Sequence, residues 1–183
     1  MRKKVLVPVA NGSEDIEIVG IVDTLRRAGA EVTIASVQGL QITASRGLKI
    51  TADRKLTDCL GEKYDLIALP GGMPGAEYLR DSEPLTRLLR EQAKSNRLYA
   101  AICASPVVVL QHHGLLRGKK ATVHPALTDK LIDADLIADR VVVDGNCITS
   151  RGPGTVLEFA VTLIELLFGK QMAEKVSNPM LIR

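Results

Sequence analysis

Leu98-Tyr99-Ala100-Ala101-Ile102-Cys103-Ala104-Ser105-Pro106 is an apolar run that breaks at a thiol and restarts past the proline as Val107-Val108-Val109-Leu110. It reads as a strand that stops and a helix that begins, with Cys103 at the hinge. Just before it, Tyr64–Pro70 is a strand running into Gly71-Gly72-Met73-Pro74-Gly75, a turn that glycine-rich sequence forms easily. Pro84–Asn96 then has the period of an amphipathic helix and leads into the Cys103 strand. Nearer the start, Val5–Ala10 is a strand, Ser13 is placed to cap a helix, and Ile16, Val19, Ile21, Val22 and Leu25 recur at helical spacing up to Gly29. Glu31–Val37 is a second strand, and Leu40–Ala44 and Leu48–Thr51 flank Ser45-Arg46-Gly47 as a small hairpin. Beyond the hinge, a helix through His113 precedes a short strand, Lys120–Val123, that ends at His124-Pro125. Arg140–Val143 and Asn146–Ser150 pair around Asp144-Gly145, and Gly152-Pro153-Gly154 breaks the chain before a last long helix. Strands alternating with helices imply right-handed crossovers, and so an α/β fold with a mostly parallel sheet covered on both faces.

Composition agrees with this class. The 183 residues suit one domain spanning 1–183, and 46% hydrophobic with 3% aromatic and no Trp means a core of Val, Ile, Leu and Ala, as parallel sheets prefer. A net charge of +3 arises from 24 basic and 21 acidic residues mixed along the chain, which is no footprint for nucleic acid. The basic start is followed by an apolar run too short for a secretory signal, and Thr155–Phe168 is broken by Glu158 and Glu165 and falls short of the roughly 20 residues of a membrane span. A soluble, cytoplasmic protein is the expectation. The three cysteines, Cys59, Cys103 and Cys147, are odd in number and widely spaced, matching neither a disulfide framework nor a zinc motif. His112-His113 has no carboxylate or Cys at ligand spacing, so no metal is expected.

Four strand ends carry residues with chemistry: Glu14, Asp15 and Glu17 after the first, Gly71-Gly72, Cys103, and His124. In a parallel sheet those ends share one edge, which would gather a carboxyl, backbone donors, a thiol and an imidazole around one pocket. A helix starting at Ala104 would lower the Cys103 thiol from its free value of about 8.5. The amides of Gly71, Gly72 and Ala104 would stabilise an oxyanion, and Glu17, among apolar neighbours, would stay protonated and move a proton. Each residue also has a plainer explanation. Free cysteine is often a small hydrophobe, Glu14 and Asp15 favour a helix amino end, and His124 is placed to cap a turn. Cofactor motifs are missing: the first βα turn holds carboxylates where G-x-G-x-x-G would bind pyrophosphate, and no P-loop is present.

Seven blocks in order resemble the ThiJ/PfpI superfamily, most closely its Parkinson disease protein 7 (deglycase) branch: Gly12–Glu17, Leu25–Gly29, Ser45-Arg46, Leu69–Gly72, Ala100–Ala104, His124-Pro125 and Thr149–Thr155. The resemblance implies a flavodoxin-like three-layer α/β/α sandwich, a homodimer, and a nucleophilic Cys103 with Glu17 as its protonated partner and His124 nearby. It further implies that Arg27 and Arg46 lie near the dimer interface and that Pro153 approaches the pocket. Members convert methylglyoxal and glyoxal to hydroxy acids without glutathione, deglycate protein and nucleotide adducts, and protect against carbonyl and oxidative stress. A cofactor-independent glyoxalase or deglycase is therefore the expected function. The alternative is a redox-sensing holdase chaperone whose Cys103 is oxidised to sulfinate. Ala104 stands where protease-like members carry a His directly after the nucleophile, which argues against peptidase activity.

Overall fold

The computed structural model describes residues 2–182. In chain order the main elements are β1 (Lys4–Val9), α1 (Asp15–Arg27), β2 (Glu31–Ser36), β3 (Gln41–Thr43), β4 (Lys49–Thr51), β5 (Arg54–Lys55), β6 (Leu66–Leu69), α2 (Gly75–Arg80), α3 (Glu83–Lys94) and β7 (Leu98–Ile102). A π-type helix, Pro106–Gln111, follows, then β8 (Lys120–Ala121), β9 (Asp135–Leu136), β10 (Val141–Asp144), β11 (Cys147–Ser150), α4 (Val156–Phe168) and α5 (Lys170–Ser177). Seven strands form one sheet in the order β10-β11-β7-β6-β1-β2-β5. Every pairing in it is parallel except the hairpin of β10 with β11.

Alternation along β1 supplies both faces of the core. Val5, Val7 and Val9 join the apolar layer under α1, α4 and α5, where Ile18, Ile21, Phe159 and Leu163 are buried. Leu6 joins the opposite layer, with Leu79, Leu85, Leu89 and Val109 from α2, α3 and the π-type helix. This is the three-layer α/β/α sandwich anticipated from the alternation of strands and helices. Among the described residues no helix is long and apolar enough to cross a membrane.

The sheet contains its own opening. β1 pairs with β2 from Lys4 to Val9 but with β6 only at Val5 and Leu6. Even-numbered residues of β1 turn their backbone toward β6, as the bond from Asp65 N–H to the Lys4 carbonyl (2.8 Å) shows, and Val9 bonds toward β2. Pro8 therefore faces β6 without an N–H to donate, and the ladder stops before it. The two strands part at their carboxyl ends, and this is also the switch point, since the chain leaves β1 toward β2 and leaves β6 toward β7.

Three local readings change. Glu14, not Ser13, caps α1, its side chain accepting from Glu17 N–H, while the Ser13 hydroxyl accepts from Ala10 N–H (3.1 Å). The Lys120 strand is only Lys120–Ala121 and pairs with β9 in a separate two-stranded sheet, so His124 does not end a strand of the main sheet. The helix after the hinge begins at Pro106 and winds as a π-helix.

Close backbone approach binds the loops after β1 and β6. Glu14 N–H donates to the Gly71 carbonyl (2.9 Å), and Gly75 lies against Gly12 and Ser13 so tightly that a Cβ there would meet Gly12 C and Ser13 Cα at 2.6 Å. Those are backbone atoms that cannot swing aside. Gly75→Ala is expected to destabilise the fold by about 2–3 kcal/mol through overpacking, seen as a lower denaturant midpoint at unchanged m-value. A change within about 0.5 kcal/mol would show that the loops yield freely.

Candidate active site

Cys103 follows the last residue of β7 with φ +65°, a conformation rare for a residue carrying a Cβ and costing on the order of 1–3 kcal/mol. Its surroundings impose the turn. Cys103 N–H donates to the Ser150 carbonyl on β11 (3.0 Å), and the Cys103 carbonyl accepts from His124 N–H (3.0 Å). Two residues further on, the buried Ser105 hydroxyl donates to the Pro70 carbonyl (2.6 Å), tying the hinge to the loop after β6. The half-buried thiol is thereby presented at the crevice.

Glu17 lies in the first turn of α1 and is completely buried, at 0% exposure. Its Oε2 accepts from Gly71 N–H (2.7 Å), whereas Oε1 is shut away from solvent with no hydrogen-bond partner. Burial is the largest influence on its titration and lifts the carboxyl from 4.5 to about 7. The Gly71 amide and the neighbouring Cys103 thiol oppose that shift, and the Glu14 charge reinforces it. Glu14 is positioned by its capping bond to Glu17 N–H (2.8 Å), so one carboxylate both starts the helix and discourages ionisation of the other.

The thiol behaves contrary to the helix-dipole expectation. Burial and the adjoining Glu17 charge push Cys103 up to about 12, and the amides of Gly72 and Ala104 pull only partly the other way. The helix beyond it opens on Pro106, which has no N–H to aim at sulfur. The two acids are coupled. With Glu17 neutral, the charge opposing the thiolate disappears, and the carboxyl can donate a hydrogen bond to it.

Other expected residues fall into place unequally. Gly71 has its amide engaged by Glu17, so it orients the carboxyl instead of serving as an oxyanion donor; the amides of Gly72 and Ala104 are the ones directed at sulfur. His124 arrives by its backbone bond to Cys103 and caps the 3-10 helix Pro125–Lys130. Ala126 N–H donates to its Nδ1 (3.2 Å), which makes the neutral ring the Nε2–H tautomer. Pro153 borders both the cleft beside His124 and an apolar groove between α1 and α4. Arg27 pairs with Asp23 (2.8 Å) and borders a cleft with Met172 and Val176, and Arg46 is an exposed residue of the β3–β4 turn; within one chain neither lines the Cys103 crevice.

Sequence reasoning placed Asp15 at the helix amino end but did not foresee what it holds. The Asp15 carboxylate accepts from Ser45 Oγ (3.1 Å), Arg46 N–H (2.8 Å) and Leu48 N–H (3.1 Å), clamping the hairpin turn to α1. Burial is the largest single influence and raises this carboxyl, but those donors together win and hold it below its ordinary value. Ser105, Arg140 and Arg151 were not singled out as site residues, because ordinary polar residues gain meaning only from what the fold sets beside them.

Comparison with known proteins agrees with this fold. The sequence profile of the DJ-1/PfpI family matches residues 3–166. Protein DJ-1 homolog B of Arabidopsis thaliana is 49% identical over 180 residues, covering 98% of this chain, which spans only 41% of that relative's length. Glutathione-independent glyoxalase DJR-1.2 of Caenorhabditis elegans is 33% identical over 170 residues, 92% of this chain and 90% of that protein. Oxidized Toxoplasma gondii DJ-1 superposes with a TM-score of 0.96 at 49% identity, over 98% of both chains. Strand order, hinge thiol and buried carboxyl thus belong to a chain that is a member of the DJ-1/PfpI family.

Proposed function

We propose that this chain converts small 2-oxoaldehydes such as methylglyoxal and glyoxal to 2-hydroxy acids, with Cys103 as nucleophile and Glu17 as the proton carrier. The single observation behind this reading is the fully buried Glu17, one oxygen held by Gly71 N–H and the other unpartnered, next to a thiol in a strained hinge. The name of the nematode relative, a glutathione-independent glyoxalase, supports the same chemistry at family level.

Sulfur adds to the aldehyde carbon and its proton passes through Glu17 to the new oxyanion, giving a hemithioacetal. Glu17 then gives its proton to the C2 carbonyl oxygen as it takes the C1 hydrogen as a proton, forming an enediol whose oxygens face the amides of Gly72 and Ala104 and the His124 Nε2–H, and it returns a proton at C2 as it recovers one from the C1 hydroxyl. C1 is oxidised to a thioester and C2 reduced to an alcohol, so the electrons balance within the substrate and no cofactor enters. Water cleaves the thioester to the hydroxy acid and restores the thiol. Release of glycated protein or nucleotide adducts would use the same addition and hydrolysis. Cys103→Ser is expected to reduce kcat/KM for lactate formation from methylglyoxal on the order of 10³-fold, about 4 kcal/mol, with an unchanged circular dichroism spectrum. Retained turnover would remove Cys103 from the reaction.

The protonation of Glu17 can be read from stability. A carboxyl that titrates at about 7 when folded and 4.5 when unfolded binds more protons in the native state between those values, so unfolding free energy falls as pH rises through that window. The thiol is neutral there in both states. Glu17→Gln lacks this loss, so relative to wild type it should gain about 2–3 kcal/mol between pH 5 and pH 8 in denaturant titrations. A pH-independent difference would mean that Glu17 ionises normally.

We also infer a homodimer. Ile16 (58% exposed), Val19 (50%), Leu48 (46%) and Leu157 (40%) line an apolar groove of about 620 Å³ between α1 and α4, a contiguous patch of the kind that marks an interaction surface. A second copy burying the same patch satisfies both chains by two-fold symmetry. Val19→Glu should shift sedimentation from dimer to monomer, and a wild-type protein that sediments as a monomer would refute the inference.

A further inference from the structure

A cleft of about 270 Å³ opens beside His124, lined by Arg140, Arg151 and the Gly152–Thr155 turn. It adjoins the nucleophile. Arg151 directly follows Ser150, whose carbonyl accepts Cys103 N–H, and His124 N–H donates to the Cys103 carbonyl, each at 3.0 Å. Because β11 and β7 run parallel with Ser150 opposite Ile102, Arg151 leaves the sheet alongside Cys103.

The two arginines differ in what holds them. Arg140 is committed, its Nε to Glu158 (2.6 Å) and its Nη2 to the Gly154 carbonyl (2.8 Å). Of the Arg151 guanidinium only Nη1 donates, to the Ala138 carbonyl (3.2 Å). Its Nε is buried without an acceptor, and among the described residues no carboxylate forms an ion pair with it. A guanidinium cannot shed its charge, and a buried donor left unmade costs about 1–3 kcal/mol. What satisfies such a group is a planar or tetrahedral oxyanion, which the guanidinium fork meets at two points.

We infer that Arg151 anchors an oxyanion subsite, which binds a carboxylate or phosphate group carried by a substrate whose carbonyl reaches Cys103. The His124 Nε2–H supplies a further donor at the inner end. That the substrate is a carbonyl compound rests on the function proposed above, whereas the anion preference rests on Arg151 alone. The subsite extends the accepted substrates from neutral 2-oxoaldehydes to small carbonyl compounds with an anionic tail.

Alkylation of Cys103 tests this without turnover. Iodoacetate carries a carboxylate and iodoacetamide does not, so the ratio of their rates, followed by mass spectrometry with Cys103→Ser as the site control, reports attraction of the anion. Arg151→Gln should lower that ratio about fivefold, equivalent to about 1 kcal/mol, and Arg151→Lys should retain part of it and serve if the glutamine variant fails to fold. In wild type at matched ionic strength, inorganic phosphate or acetate should slow iodoacetamide saturably, and Arg151→Gln should abolish the protection. Protection by phosphate alone assigns a phosphate ester, and by acetate alone a carboxylate. Protection by neither, or a ratio unmoved in Arg151→Gln, overturns the subsite. Methylglyoxal turnover with no role for Arg151 would leave the proposed function standing and remove only the subsite. Arg151-dependent protection in a protein that turns over no aldehyde would do the reverse.

Discussion

Glu17 has no solvent to ionise into, and only one of its carboxyl oxygens is met by a donor, the Gly71 amide at 2.7 Å. That bond joins the loop after β6 to the helix after β1 and fixes the carboxyl where it adjoins Cys103. Much of the surrounding structure serves to keep it made. Glu14 starts α1 by capping Glu17 N–H, and Gly75 lets the chain after β6 lie directly on Gly12 and Ser13. Asp15 draws the β3–β4 turn over the same helix end. The burial of the carboxyl, reinforced by the Glu14 charge, is what raises its pKa.

The crevice itself traces to a missing donor. Pro8 cannot continue the ladder to β6, so two central strands part where the chain direction also switches. The hinge at Cys103 then needs support from several elements, because its backbone conformation is unfavourable for any side chain. β11, the His124 segment and the Pro70 carbonyl each contribute one hydrogen bond to it or its neighbours. The Pro153-Gly154 turn borders both the apolar groove on α1 and α4 and the cleft with Arg151, so surfaces with different chemistry share one short segment.

The alternation of apolar strands with periodic helices was legible along the chain, as were the glycine turn after β6 and the thiol at the end of β7, because these depend on local pattern and turn chemistry. The shortness of β8 was not legible, since Lys120–Val123 has strand-like composition and only pairing partners decide where a strand ends. Ser13 is a better capping residue by preference than Glu14, yet its hydroxyl is taken by Ala10 N–H and the cap passes to its neighbour. Gly71 looked like an oxyanion donor until Glu17 was found to occupy its amide.

By itself the sequence determined the fold class, the edge of the sheet where chemistry gathers, and the residue types brought there, because periodicity, glycine turns and strand ends are local properties of the chain. Only the tertiary structure decided their protonation and direction. Burial and the Glu14 charge lift Glu17, burial and the Glu17 charge push the thiol up, and the lack of any acceptor leaves the Arg151 Nε unsatisfied. These are effects of desolvation and of which groups meet across distant segments, and neither is written in the spacing of residues.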